Sequence, residues 1–202
     1  SSDRTLFFGG VPSITIPVGG MVLSDPVKLN VPELGDLAIS IYLPNHIDNN
    51  TNLFTRHGSS FQTNYVSPAG NYTGAASFLP LSTTTTMTSW YYLSGVEVMA
   101  PEQTGAIVTL GDSITDGRGS TTNGNDRWSD NLARRLQSRK ASAQVSVLNH
   151  GLGGNRLLRD GLGPNALARL DRDVLAQPGV RWLIVLEGIN DIGTGPGARA
   201  RG

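Results

Sequence analysis

The stretch AIVTLGDSITDG at residues 106–117 decides the fold. Its first five residues form a short, mostly apolar run, which is typical of a strand buried on both faces. The glycine and polar residues that follow at once place a hydroxyl, that of Ser113, just beyond the carboxyl end of this strand. In open parallel sheets, ligands bind at that end of the strands. The stretch therefore predicts a parallel sheet with a candidate reactive group at its rim.

Four segments downstream complete an alternating pattern. Apolar residues at helical spacing predict helices over 127–139 and 165–176. Short apolar runs predict further buried strands over 145–148 and 182–187. The order strand, helix, strand, helix, strand indicates an α/β fold with parallel strands and right-handed crossovers.

The residues before this pattern have a different composition. They are rich in Ser, Thr, Asn, Gly and Pro, and short alternating segments (SITIPV, DLAISIYLP, FQTNYV and TSWYYLSGVEVM) predict strands. We predict a β-sandwich-like region over residues 1–100 and a linker, PEQTG, over 101–105. Residues 106–202 then form a partial α/β domain with about three parallel strands.

The overall composition excludes several classes of function. Sixteen Lys and Arg balance sixteen Asp and Glu, so bulk electrostatics predict no nucleic-acid partner. The absence of cysteine excludes disulfides, zinc-thiolate sites and cysteine nucleophiles. The spacing of His46, His57 and His150 predicts no metal site, and no apolar run reaches the roughly 20 residues of a membrane span.

Three glycine-bearing segments follow the three predicted strands and are called here the three corners. The first corner is GDSITDG at 111–117, the second is NHGLGGNR at 149–156, and the third is GINDIG at 188–193. Each corner alone is more typical of an ordinary turn or helix start than of a catalytic site. At successive ends of parallel strands they are expected to meet at one edge of the sheet, which together predicts a shared ester-hydrolysing site.

The chemistry of such a site assigns a role to each corner. The hydroxyl of Ser113 is the candidate nucleophile, and a tetrahedral intermediate needs hydrogen-bond donors around its oxyanion. The backbone N–H groups of Ser113 and Gly154 and the side-chain amide of Asn190 are candidate donors. Asp112 and Asp116 are expected to support the first corner by Asx-type hydrogen bonds, and Asp191 to support the third corner.

The corners, in this order, resemble three sequence blocks of the GDSL/SGNH hydrolase superfamily, over about residues 106–193. SITIPVGGMVLSDPV, QTNYVSPAG and TSWYYLSGVEV are similar to a bacterial subgroup in which a β-domain precedes the hydrolase. The resemblance implies a flavodoxin-like α/β fold, serine esterase or acylhydrolase activity, and no metal or organic cofactor. It also implies a secreted or extracytoplasmic protein, although no signal-peptide pattern opens the chain. The implied catalytic residues are Ser113, Gly154 and Asn190.

The general base is the part of the pattern that the sequence leaves open. The final block of the family, an aspartate followed three residues later by a histidine, does not occur in these 202 residues. We therefore expect the chain to be the middle part of a longer protein. His150, beside the second corner, is one candidate base, with backbone bonding at a strand end as the alternative. His57, in a Gly/Ser loop, is the other, and it could reach the rim from another subunit.

The leading hypothesis is a serine esterase that acts on small acyl esters or acetylated saccharides. The alternative is a non-catalytic module, in which the β-rich region binds a carbohydrate or a partner and the hydrolase half is truncated and inactive. A three-stranded sheet leaves one edge and some apolar surface uncovered. We expect a second copy in a dimer or larger homo-oligomer, the β-rich region, or a missing segment to cover it.

Overall fold

The structure of the protein, a computed structural model, describes residues 3–45, 55–75 and 84–193. The chain forms two compact units, the first comprising Ser1–Thr55 and Tyr65–Thr85 and the second Arg56–Asn64 and Thr86–Gly202. The second unit therefore contains two short segments from the β-rich half of the sequence, 56–64 and 86–100. The predicted boundaries at 1–100, 101–105 and 106–202 stay predictions, since they rest on composition alone.

Four short strands precede the parallel sheet. Strand β1 (Arg56–His57) pairs antiparallel with β4 (Trp90–Tyr91), while β2 (Asn64–Val66) and β3 (Thr85–Met87) form a second two-stranded sheet. The predicted segments FQTNYV and TSWYYLSGVEVM contain β2 and β4, respectively. The β-rich half thus contributes small antiparallel sheets to an α/β protein.

Two predicted strands, SITIPV and DLAISIYLP, have no strand assignment in the structure. Their apolar side chains, including Ile14, Ile16 and Ile39, are exposed. An alternating pattern shows which side chains share a face, but a strand also needs a hydrogen-bonded neighbour. Residues 3–45 are instead held by turns and side-chain hydrogen bonds. For example, the Asp25 carboxylate accepts hydrogen bonds from the backbone N–H groups of Gly9 and Gly10 at 2.9 and 2.8 Å.

The second unit contains a parallel sheet of three strands. Strands β5 (Gly105–Gly111), β6 (Val145–Gly151) and β7 (Val180–Leu186) lie in the spatial order β6-β5-β7. The three predicted strands and the incomplete α/β architecture are confirmed, but the predicted burial holds only for β5. Strand β6 is partly buried and β7 is mostly exposed, because each lies at an edge of the described sheet. The chain runs from β5 to β6 on one side and then crosses back to β7 on the other side of β5. Such a reversal of strand order opens a crevice at the carboxyl ends of the strands.

The helices lie where the chain crosses between these strands. Helix α1 (Ser113–Asp116) follows β5 directly, α2 (Trp128–Gln137) confirms the first predicted helix, and α3 (Ile189–Gly193) follows β7. The second predicted helix, 165–176, is instead a series of turns that ends in a π-helical turn, Asp171–Leu175. This region packs against β5 to form the core, whose members are Val108, Leu110, Ala166 and Val174.

Among the residues that the structure describes, no helix is long and apolar enough to cross a membrane.

Candidate functional site

Ser113 is the first residue of α1, immediately beyond the carboxyl end of the central strand. The buried Asp112 caps this helix, since its carboxylate accepts a hydrogen bond from the backbone N–H of Ile114 at 2.8 Å. Gly117 ends the helix in the left-handed region, at φ +107°. The first N–H groups of a helix have no partner within it, so the backbone around Ser113 can donate outward.

The second corner packs directly against the first. The backbone N–H of Leu152 donates to the carbonyl of Gly111 at 2.9 Å. A Cβ atom at Gly151 would collide with the backbone of Asp116, so only glycine allows this close approach. Gly154 has φ +74°, a left-handed conformation that also favours glycine. The two sequence blocks are therefore held together through their backbones.

The third corner is joined to the second by side chains. The amide nitrogen of Asn190 donates to the carbonyl of Asn155 at 2.9 Å. The Asp191 carboxylate accepts hydrogen bonds from the backbone N–H of Leu157 at 3.0 and 3.2 Å. The structure thus brings Asn190 to the residue next to Gly154, while Asp191 holds the following stretch of the same loop.

A buried arginine, Arg169, hydrogen-bonds several groups at the rim of the sheet. The guanidinium of Arg169, which is 3% exposed, donates five hydrogen bonds to four residues. They reach the carbonyls of Gly111 and His150, at the ends of two strands, and the side chains of Asn155 and Asp173. The planar guanidinium suits this role because it carries five N–H donors in a fixed geometry.

His57 meets the rim within its own chain. Its Nε2 atom lies 2.7 Å from Oδ1 of Asp116, the last residue of α1, and its ring lies near that of Trp90, with 5.4 Å between centroids. Both partners of the pair belong to the second unit. His57 therefore contacts α1 one helical turn after Ser113. Its Nε2 atom bonds to the Asp116 carboxylate and not to the serine.

His150 faces a different set of groups. Its Nδ1 atom lies 4.0 Å from Oδ1 of Asp173. Burial lowers the pKa of His150, Asp173 opposes that change, and the positive charges of Arg169 and Arg172 add to it. Neither this histidine nor His57 hydrogen-bonds Ser113 among the described residues, so both candidate bases stay predictions; His46 lies outside those residues.

One carboxyl group at the rim has a perturbed pKa. Burial raises the pKa of Glu187, which follows β7, and the negative charges of Asp112 and Asp191 raise it further. A hydrogen bond from the Gly188 N–H and the charge of Arg169 act against this change. Within the described part of the chain, no group of three or more His, Asp or Glu side chains could hold a metal ion.

Sequence reasoning missed the residues that connect the corners. Asp116 was expected to support its own turn, yet it binds His57, which lies 59 residues earlier. Arg169 reads as one of many charges on a predicted helix, and Asn155 as a turn residue beside Gly154. The i, i+4 spacing of Arg169 and Asp173 was the one local signal that pointed to a paired, buried charge.

One known protein family matches part of the chain. Residues 109–202 match the sequence model of the GDSL-like Lipase/Acylhydrolase family. No curated protein matches the chain. The matched residues include all three corners, so this segment of the chain is similar to the GDSL-like Lipase/Acylhydrolase family.

Proposed function

We propose that this protein is a serine hydrolase of carboxylic esters that uses Ser113 as its nucleophile. The match of residues 109–202 to the family supports ester hydrolysis at the level of the family. One observation carries the finer proposal: hydrogen bonds join the first corner to the second at Gly111 and Leu152, and the second to the third at Asn155 and Asn190.

In the proposed reaction, Ser113 Oγ attacks the ester carbonyl carbon and the C–O bond to the alcohol then breaks. The serine proton leaves with the alcohol or, where the leaving group is p-nitrophenolate, passes to solvent water. The resulting acyl-enzyme is hydrolysed by water, which releases the acid and restores the hydroxyl. The developing oxyanion accepts hydrogen bonds from the N–H groups of Ser113 and Gly154 and from the Asn190 amide. The left-handed conformation of Gly154 and the bond from Asn190 to Asn155 support these assignments.

The proposal assigns the serine proton to neither histidine. His57 Nε2 is bonded to Asp116, and His150 faces Asp173. Esters of p-nitrophenol avoid this question in part, because p-nitrophenolate leaves without being protonated. Triad enzymes that lack their base still retain about 10³–10⁴-fold catalysis over water, so activity on such esters is the proper first assay.

Hydrolysis of p-nitrophenyl acetate by matched serine variants tests the proposal. We expect the wild type to exceed the buffer rate, Ser113→Ala to fall to it, and Ser120→Ala to match the wild type. Ser120 is a suitable control because it is a partly exposed serine in the loop that follows α1. A wild type at the buffer rate, or equal rates for wild type and Ser113→Ala, contradicts the proposal.

The alternative is a non-catalytic binding module. It is favoured by one observation, that no histidine hydrogen-bonds Ser113 among the described residues. Binding of acetylated glycans without turnover, undiminished by Ser113→Ala, would support this module over the esterase.

A further inference from the structure

Helix α1, which carries Ser113, has a single turn. A helix of four residues is not stable by itself, so contacts with the rest of the protein set its position. Residues 109–202, which match the family model, are called here the family segment. Two of these contacts come from within it: the Asn149 amide donates to the carbonyl of Thr115 at 2.7 Å, and Arg127 Nε donates to the carbonyl of Asp116 at 2.9 Å. Both bind backbone atoms at the end of the turn.

The third contact comes from outside the family segment. His57 precedes residue 109 by some fifty positions in the sequence, yet it approaches the Asp116 carboxylate at 2.7 Å. Asp116 is only 7% exposed, and a carboxylate removed from water needs hydrogen-bond donors. The Nε2–H of His57 supplies one, and the contact thereby selects the ring tautomer that carries its hydrogen on Nε2.

Residues 56–64, the segment that contains His57, make a second contact with α1 through Arg127. The Arg127 guanidinium, which binds the carbonyl of Asp116, also donates to the carbonyl of Ser60 and lies over the ring of Phe61, 5.6 Å from its centroid. Residues 56–64 therefore contact the end of α1 through two separate side chains. All of these groups belong to the second unit.

The Asp116 carboxylate also faces the second corner. While Oδ1 binds His57, Oδ2 lies beside Gly153, where an added Cβ would be 3.4 Å away. Gly153 directly precedes Gly154, the proposed oxyanion donor. A shift of the Asp116 side chain would therefore alter both the turn that carries Ser113 and the loop that carries Gly154.

We propose that His57 is a positioning residue, which acts through Asp116 to hold the Ser113 turn against the Gly153–Gly154 loop. The inference rests on the proposed esterase function and goes beyond it. It makes a residue that precedes the family segment part of the working site. It also gives the His57–Asp116 pair a role other than proton transfer from the serine.

Two variants of His57 test this role in p-nitrophenyl acetate hydrolysis. His57→Phe keeps a ring but removes the donor, whereas His57→Gln restores an N–H group. A displacement of about 1 Å can cost roughly 10²-fold, so we expect His57→Phe to lower kcat by about 10- to 100-fold. KM should stay within about two-fold, because ester binding is not the interaction removed. We expect His57→Gln to recover most of the loss.

The control removes a carboxylate contact elsewhere in the second unit. Arg172→Met deletes the 2.5 Å contact of Arg172 with Asp173, and we expect it to leave kcat unchanged. All rates are divided by the number of active sites, counted from the initial burst of p-nitrophenolate, so that partial unfolding is not read as slow chemistry. A His57→Phe protein with wild-type kcat per active site, when Ser113→Ala is inactive, overturns the proposal.

Nuclear magnetic resonance of the wild-type imidazole covers the case in which His57→Phe does not fold. We expect the long-range ¹H–¹⁵N spectrum to show hydrogen on Nε2 of His57, and the Nε2 signal to move in Asp116→Asn. A mixture of both tautomers that Asp116→Asn leaves unchanged overturns the proposal. This spectrum requires no turnover, so it reports on the contact even if Ser113→Ala shows that the esterase proposal has failed.

Discussion

Strands β5 and β7 lie side by side in parallel register and are both rich in apolar residues, yet only β5 is buried. Val108 of β5 is 0% exposed, whereas Val185 of β7 is 54% exposed. Strand β5 has a neighbour on each side and the core packed against it, while β7 is at an edge of the sheet. Two strands of similar apolar sequence thus differ in burial, because the fold packs neighbours around β5 and not around β7.

This difference extends to the candidate site. Ser113 follows the buried strand, and the ends of β5 and β6 are fastened by Arg169 and by the backbone bond from Leu152 to Gly111. Asn190 follows the edge strand and is joined to the second corner through Asn155. The proposed nucleophile, Ser113, therefore lies on the more firmly held half of the site, and the proposed amide donor, Asn190, on the less firmly held half.

Removing the buried arginine should have the largest effect. Arg169→Met leaves four acceptor groups at the rim without their shared donor, and breaking a buried charge network of this kind costs about 3–5 kcal/mol. Urea titration followed by circular dichroism measures the change in the free energy of unfolding.

The neighbouring Arg172→Met variant provides the control for Arg169→Met. Arg172 also binds Asp173, but its side chain is 59% exposed, and exposed ion pairs contribute only about 0–1 kcal/mol. Equal losses in the free energy of unfolding for the two variants would show that the buried Arg169 contributes no more to stability than the exposed Arg172.

A matched pair of valines tests the comparison of the two strands directly. Val108→Thr buries a hydroxyl in the core without a hydrogen-bond partner, which should lower the free energy of unfolding by about 1–3 kcal/mol. Val185→Thr places the same group on an exposed position and should change the free energy of unfolding by less than about 0.5 kcal/mol. Equal losses in urea titration would mean that β7 is covered in solution, as by a second copy of the chain.

The smallest expected effect is on pH dependence. The pKa of His150 is lowered in the folded protein, mainly by burial, so the unfolded chain binds more protons as the pH falls through the ordinary histidine value of roughly 6.5. Stability supported by neutral His150 is present above that pH and lost below it. We expect His150→Gln to reduce the loss of Tm between about pH 7.5 and about pH 5.5. An unchanged pH profile would contradict the burial of His150.

Local patterns predicted the strands, α2 and the meeting of the corners, because parallel strands end at one edge of a sheet. The same patterns could not predict that SITIPV lacks a strand partner, or that 165–176 would wind into a π-helical turn, since both depend on tertiary neighbours. The contacts of His57 and Arg169 also span distant parts of the chain. What covers β7 stays a prediction.

The most direct test of the central claim is the reaction of Ser113 with diethyl p-nitrophenyl phosphate. In it an Oγ–P bond forms, the P–O bond to p-nitrophenolate breaks, and the serine proton passes to solvent. We predict an adduct on Ser113 in the intact protein, located by mass spectrometry of its peptides. Because Asn190 is the proposed donor to the developing negative charge, Asn190→Ala should form the adduct about 10²–10³-fold more slowly. The absence of an adduct on Ser113, or the same rate in Asn190→Ala, would contradict the account.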